Sequence, residues 1–155
     1  MRILLIHNYY RQRGGTDMYV DMLANLLKNN GHHVLIFSKN SSEINGISKK
    51  ISAAVNLIFG NKQAASELNE TIRTFQPDIA HVHNLYPLIT DSIFNVLRFN
   101  DIPLVETLHT YTLLGPKSNV LYKQDPNKFS FFQFLKWYGN SYLGSFALNL
   151  SLFFY

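Results

Sequence analysis

The 155-residue chain contains no cysteine, which excludes disulfide staples and thiolate metal ligands from its chemistry. A reducing compartment is compatible with that. Long apolar runs are missing near the start: only Ile3-Leu4-Leu5-Ile6 stands between Arg2 and His7, too short for the apolar core of a secretory signal. Basic clusters are missing as well. Neither a run of Lys and Arg nor a basic–aromatic alternation occurs, so no nucleic-acid partner is expected. Charge is sparse, at 15% against 46% hydrophobic residues, a balance that fits a packed globular chain and argues against disorder. No repeat or low-complexity tract interrupts it. At this length one domain with a sizeable core is expected.

What charge there is lies unevenly. Residues 1–50 hold seven basic and three acidic side chains, while the remainder balances, giving +4 in all. Arg11 and Arg13 flank Gly14-Gly15. That placement suits an anionic ligand or an anionic membrane surface, and it equally suits a solvated basic face.

Strand and helix signals alternate along the chain, which sets the class as α/β with a parallel sheet. Strands are predicted near residues 2–7, 33–37, 79–83 and 103–109, each a short apolar run. Thr16 is a candidate cap for a helix whose inward positions are Tyr19, Met22, Leu23, Leu26 and Leu27, stopped by Gly31. Ile47, Ile51, Ala54, Val55 and Ile58 mark the inner face of a helix ending at Gly60. Asn61 starts another, with Leu68, Ile72 and Phe75 inward and Pro77 preventing continuation. Residues 89–99 read as a helix with Ile93, Val96 and Leu97 inward.

Beyond His109 the pattern changes. Residues 114–128 read as an irregular loop, and residues 129–155 are crowded with aromatics. No charge follows Lys136, leaving nineteen uncharged residues. Their Gly, Ser and Asn content makes them a poor spanning helix, so an interfacial or partner-covered helix is expected there. The uncapped apolar end, Leu152-Phe153-Phe154-Tyr155, leads to the expectation that the domain is incomplete.

Three strand ends carry polar residues: His7-Asn8, His81-Val82-His83-Asn84 and His109-Thr110-Tyr111. In open parallel sheets, ligands bind outside the carboxyl ends of the strands. Gly14-Gly15 at a strand-to-helix turn admits two readings. One is close approach of a phosphate to free N–H groups and a helix dipole; the other is a tight turn needing positive φ. The glycine spacing is not the dinucleotide fingerprint. His81 and His83 share one strand face, which raises a metal site, as in a metal-dependent hydrolase, against a packed His81 with only His83-Asn84 reaching the cleft. The expectation is the packed one, with no metal and no cofactor. His109 is either a structural histidine or a group that donates a hydrogen bond or moves a proton near neutral pH. Glu106, three residues earlier, is expected on the opposite side.

Four segments then carry a family resemblance: Arg13-Gly14-Gly15-Thr16-Asp17, Asn30-Gly31-His32-His33-Val34, Gln76-Pro77-Asp78 through Asn84, and Thr107-Leu108-His109-Thr110-Tyr111. In this order they resemble glycosyltransferase family 4, specifically the amino-terminal, acceptor-side Rossmann-like domain of its two-domain fold. The resemblance implies a retaining transfer of a sugar from a nucleotide-sugar donor to a glycan or lipid-linked acceptor. It implies that Gly14, Gly15 and Thr16 form the loop meeting the donor diphosphate, and that His109 contacts the transferred sugar. Arg11, Arg13, His83, Asn84 and Tyr111 would line the acceptor side. Two departures stand out. Thr16-Asp17 replaces the Ala-Glu common in relatives, and Gly115-Pro116 replaces the Cys-Pro of some.

The donor-binding domain of such enzymes has no counterpart here. The whole of residues 1–155 is therefore expected to be an acceptor-side half that is inactive alone, cytoplasmic, and in peripheral contact with the inner membrane face. Its alternatives are a non-catalytic remnant or binding module, and the hydrolase using His81 and His83.

Overall fold

The computed structural model describes residues 1–109, which form one compact unit. Strands β1 (Arg2–Tyr9), β2 (His33–Asn40), β3 (Ile79–Val82) and β4 (Leu104–Glu106) make one parallel sheet in the order β2-β1-β3-β4. Helices α1 (Gly15–Asn29), α2 (Gly46–Phe59), α3 (Lys62–Phe75) and α4 (Ser92–Phe99) connect them, with a short 3-10 turn at Ser41–Glu43. The arrangement is the expected α/β, Rossmann-like one.

β1 sits inside the sheet and is covered on both faces, which is why it reads as a continuous apolar run. Ile3 and Leu5 pack with Val20 and Ala24 of α1 on one face. Leu4 and Ile6 pack with Leu68 and Ile72 of α3 and Ile93 and Leu97 of α4 on the other. Burying side chains of this size contributes roughly 1.5–3 kcal/mol each. The strand is pinned at its start: Arg2 N–H donates to Asp78 Oδ2 at 2.7 Å, and Asp78 N–H returns a bond to the Arg2 carbonyl at 2.8 Å.

α3 behaves as its sequence indicates. Asn61 caps it by accepting from Ala64 N–H at 3.1 Å, Leu68 and Ile72 are buried, and Gln76 ends it in a left-handed conformation just before Pro77.

Three expectations are corrected. Helix α1 opens at Gly15 with Gly14 as its N-cap, so Thr16 is not the cap. Its inner line is Asp17, Val20 and Ala24, with Leu23 and Leu27 half-buried, whereas Tyr19, Met22 and Leu26 are exposed. The rotation follows from Asp17, which is held inward by His7 and fixes the helix face from its first turn.

Helix α2 is turned likewise. Only Ala53 and Leu57 are buried, Ile58 is half-buried, and Ile47, Ile51, Ala54 and Val55 face outward. Lys49, Ser52, Ala53 and Asn56 line a groove of about 170 Å³ whose other wall is mixed, with Lys39, Glu43, Asn61 and Gln63 beside Ile44, Ala64 and Leu88. This face of α2, and not the line of Ile47, Ile51 and Val55, is the one turned toward the rest of the unit.

Helix α4 starts at Ser92, not at Ile89. Residues 86–89 form a turn and Thr90 takes φ +68°, its hydroxyl accepting from Asn61 N–H at 2.9 Å; Ile89 is nonetheless fully buried. Gly60 is needed opposite this turn. Its φ of 81° and ψ of 151° lie in a region essentially confined to glycine, and a Cβ there would stand 3.2 Å from Ser92 Cβ.

β3 and β4 stop before His83 and His109, while β1 and β2 run on to Tyr9 and Asn40, so those two histidines stand on loops just past the sheet. Among the described residues no helix is long and apolar enough to cross a membrane. The aromatic segment 129–155 and Tyr111 lie outside the described residues.

Candidate functional site at the strand-order switch

From β1 the chain passes through α1 to β2 on one side, then crosses to β3 on the other side of β1. The strand order therefore reverses between β1 and β3, and in open parallel sheets the ligand crevice opens at that reversal, beyond the carboxyl ends. The residues there are His7-Asn8, His83-Asn84 and the Gly14-Gly15 turn, with His109 beside them.

The two-residue period of strands explains why imidazoles gather. His7 follows Ile3 and Leu5 on the α1 face, and His81 and His83 follow Ile79 on the same face. Thr107 and His109 continue from Val105, the register partner of His81. Ring centroids of His81 and His83 are 4.2 Å apart, those of His83 and His109 5.3 Å, and those of His7 and His83 6.3 Å. Tyr19, on α1, sets its ring at an angle to His83 at 5.9 Å and His109 at 5.2 Å. His83 Nδ1 lies 3.1 Å from His109 Nε2, and His81 Nε2 lies 2.8 Å from Thr107 Oγ1.

The relative depth of the pair reverses the expectation. His83 is buried at 5% exposure, covered by Tyr19 and His109, whereas His81 is half-buried beside Thr107. Glu106 is opposite Val82 in register and so belongs to the other face, as expected.

A buried pair that sequence reasoning missed organises the glycine turn. His7 and Asp17 are both fully buried, and His7 Nε2–H donates to Asp17 Oδ1 at 2.8 Å. Asp17 Oδ2 accepts from Gly14 N–H at 3.1 Å. On the far side of the ring, His7 Nδ1 accepts from Asn84 N–H at 3.4 Å, and Asn84 Nδ2 donates to the Asn8 carbonyl at 3.0 Å. One carboxylate thus links the glycine turn to the β1 and β3 ends. The signal available in the sequence was an acid three residues after the N-cap, the reach-back position of a capping box.

Neither glycine is required by its own surroundings. Gly14 has φ −117°, which any residue adopts, and a Cβ at Gly14 or Gly15 would meet nothing within 4 Å. The tight-turn reading, which needed positive φ, is thereby set aside. The first-turn N–H groups of α1 lack intrahelical acceptors, as at any helix start. Of the flanking cations, Arg13 pairs with Asp21 at 2.5 Å and lies over the Tyr9 ring, and Arg11 donates to the Ile44 carbonyl at 2.9 Å. Tyr9 donates to Asp21 at 2.7 Å; burial and then the Asp21 carboxylate push its hydroxyl up to about 12.

All four strand-end histidines are held neutral. Burial is the first cause in each, and it outweighs the Asp17 carboxylate at His7. His83 is driven furthest, to about 3, by burial and then by its imidazole neighbours His81, His109 and His7. Each lowered folded-state value means that the unfolded chain binds the proton first. The stabilising contribution is therefore complete above about pH 6.5 and is lost as pH falls through the folded values. Urea midpoints recorded from pH 8 to pH 4 should be flat above neutrality and drop below it. A midpoint unchanged down to pH 4 would contradict these shifts.

Among the described residues no group of three His, Cys, Asp or Glu is arranged to hold a metal ion. His81 and His83 thus find no third ligand among the described residues.

A parallel α/β sheet with the glycine turn and polar strand ends gathered at its switch point is the arrangement at which open parallel sheets bind ligands. The sequence model of Glycosyltransferase Family 4 matches residues 13–146, and the chain belongs to that family. No curated protein and no solved structure matches it.

Proposed function

We propose that this chain is the acceptor-binding half of a retaining glycosyltransferase that takes a sugar from a nucleotide-sugar donor and works with a donor-binding domain. The observation that supports this most is the convergence of Gly14-Gly15, His83-Asn84 and His109 at one crevice. In the Gly14, Gly15 and Thr16 loop the Gly14 N–H is held by Asp17, and the first-turn N–H groups of Gly15 and Thr16 are the ones offered to a diphosphate at the start of α1, where the helix dipole favours negative charge. His109 offers a ring nitrogen to the transferred sugar. Asn84 and the buried His83 serve the acceptor side, with Arg11 and Arg13 at the rim, and Tyr111 is assigned to that side from its place in the sequence alone. One wall cannot orient both substrates, so the chain alone should not turn over.

The same reading includes a cytoplasmic chain in peripheral contact with an anionic membrane. Ile47, Ile51, Val55 and Phe59 are exposed along α2, Lys50 is exposed on the same helix outside the groove, and the helix carries no acid. Apolar and cationic surfaces together suit an anionic bilayer.

The test is transfer of radiolabelled sugar to glycan and lipid-linked acceptors. The chain is assayed alone, with an added donor-binding domain of the family, and with anionic vesicles present. Transfer is expected only when both domains are present. Turnover by the chain alone, or none by a folded two-domain pair across the acceptor panel, contradicts the reading. The chain should float with anionic but not zwitterionic vesicles, and Ile51→Glu should reduce that.

A further inference from the structure

We infer that His83 is a positioning residue that holds His109 in the tautomer protonated on Nδ1, so that His109 presents an N–H, not a lone pair, to the cleft. The inference rests on the proposed role of His109 only for its consequence.

His83 Nδ1 and His109 Nε2 are 3.1 Å apart, a hydrogen bond between two imidazoles. Both rings are neutral near pH 7, so one nitrogen donates and the other accepts, and the choice made at His83 dictates the tautomer of His109. The groups facing His83 are His81, His7, Tyr19 and His109, none of them a carboxylate, while Asp17 is engaged by His7. Nothing there favours a doubly protonated ring, in keeping with a value near 3.

The deciding atom is His83 Nε2, which is buried and has no hydrogen-bond partner. A proton on Nε2 would leave an unmatched N–H in the interior. A proton on Nδ1 leaves an unmatched lone pair instead. Among buried backbone groups orphaned N–H donors are rarer than under-satisfied acceptors, and we apply the same asymmetry here. The proton therefore sits on Nδ1 and is donated to His109 Nε2. His109, whose Nε2 now accepts, must carry its own proton on Nδ1. That nitrogen has no partner among the described residues, and the ring is half-buried at the crevice. A fixed donor at this place matches a sugar oxygen or a phosphate oxygen and offers nothing to a ligand N–H.

The test is long-range ¹H–¹⁵N correlation of imidazole nitrogens in the uniformly labelled 155-residue chain at pH 7.5, with no substrate present. His109 and His83 should each show a protonated Nδ1 and a bare Nε2. His83→Asn, whose amide nitrogen falls near the position of Nδ1 and can donate, should preserve the His109 tautomer. His83→Leu should release it to the Nε2-protonated form. Protonation of His109 on Nε2 in the unaltered chain overturns the inference, as does a His109 tautomer indifferent to His83→Leu. If His83→Leu does not fold, the unaltered spectrum decides alone. The spectrum needs no transfer activity, so a failure of the glycosyl-transfer reading and a failure of this one are separate results.

Discussion

Turnover of the chain assembled with a donor-binding domain is expected to fall about 30- to 1000-fold in His109→Ala, the equivalent of roughly 2–4 kcal/mol for a preorganised donor removed from developing charge. The loss should appear in kcat as well as kcat/KM, because a contact that strengthens in the transition state affects the chemical step and not binding alone. Gly15→Val should act differently. A Cβ at this position meets nothing within 4 Å in the chain itself, so the fold should tolerate the branched side chain, yet it stands where a diphosphate would approach the first-turn N–H groups. The expected signature is a raised KM for the nucleotide-sugar. Lys62→Ala, at the exposed start of α3, serves as control. If His109→Ala and Gly15→Val both keep wild-type kinetics while folded, this crevice is not the site of transfer.

The second large effect is on stability. Asp17→Ala removes the acceptor of the buried His7 Nε2–H and of the part-buried Gly14 N–H at once, and should cost about 2–4 kcal/mol, the buried donor carrying roughly 1–3 kcal/mol of it. Asp17→Asn keeps one amide oxygen for His7 and should cost clearly less. Urea unfolding of the two variants measures both, with the m-value checking that the unfolded state is unchanged. Equal costs would mean that volume, and not hydrogen bonding, sets the contribution of this residue. The link from Asp17 through His7 to Asn84 further predicts faster amide exchange at both Gly14 and Asn84 in Asp17→Ala than in Asp17→Asn.

The sequence was most legible where burial is two-sided. β1 is covered on both faces, so its composition alone identifies a central strand, and the inner lines of α3 and α4 follow from Leu68, Ile72, Ile93 and Leu97. Helix faces failed where polar contacts outrank apolar periodicity. In α1 the inward register is set by a carboxylate, which composition assigns to solvent, and in α2 the inward face carries Lys49, Ser52 and Asn56 beside Ala53, along a groove of mixed lining that only the assembled elements create. The strand-end histidines were legible as positions, because the alternation counts residues along the strand. Their depth was not. Whether His81 or His83 lies deeper depends on Tyr19 and His109, contributed from 62 and 64 residues before and 28 and 26 after.

During synthesis β1 leaves the ribosome before either of its neighbours, and only one of them follows soon. β2 begins at His33, but the partner on the other side waits for Asp78 and Ile79, and the bond that anchors it to Arg2 closes across 76 residues. Until then Leu4 and Ile6 lack α4, and α3 only shortly precedes β3, so one edge of β1 carries unpaired backbone groups. The nascent chain thus passes through a long interval with a half-built sheet and an exposed apolar strand, the kind of species that general chaperones bind and that self-associates without them. A pause before residue 79 has left the ribosome should prolong that interval, whereas a pause after residue 99 has left it, with β3 and α4 both available, should not.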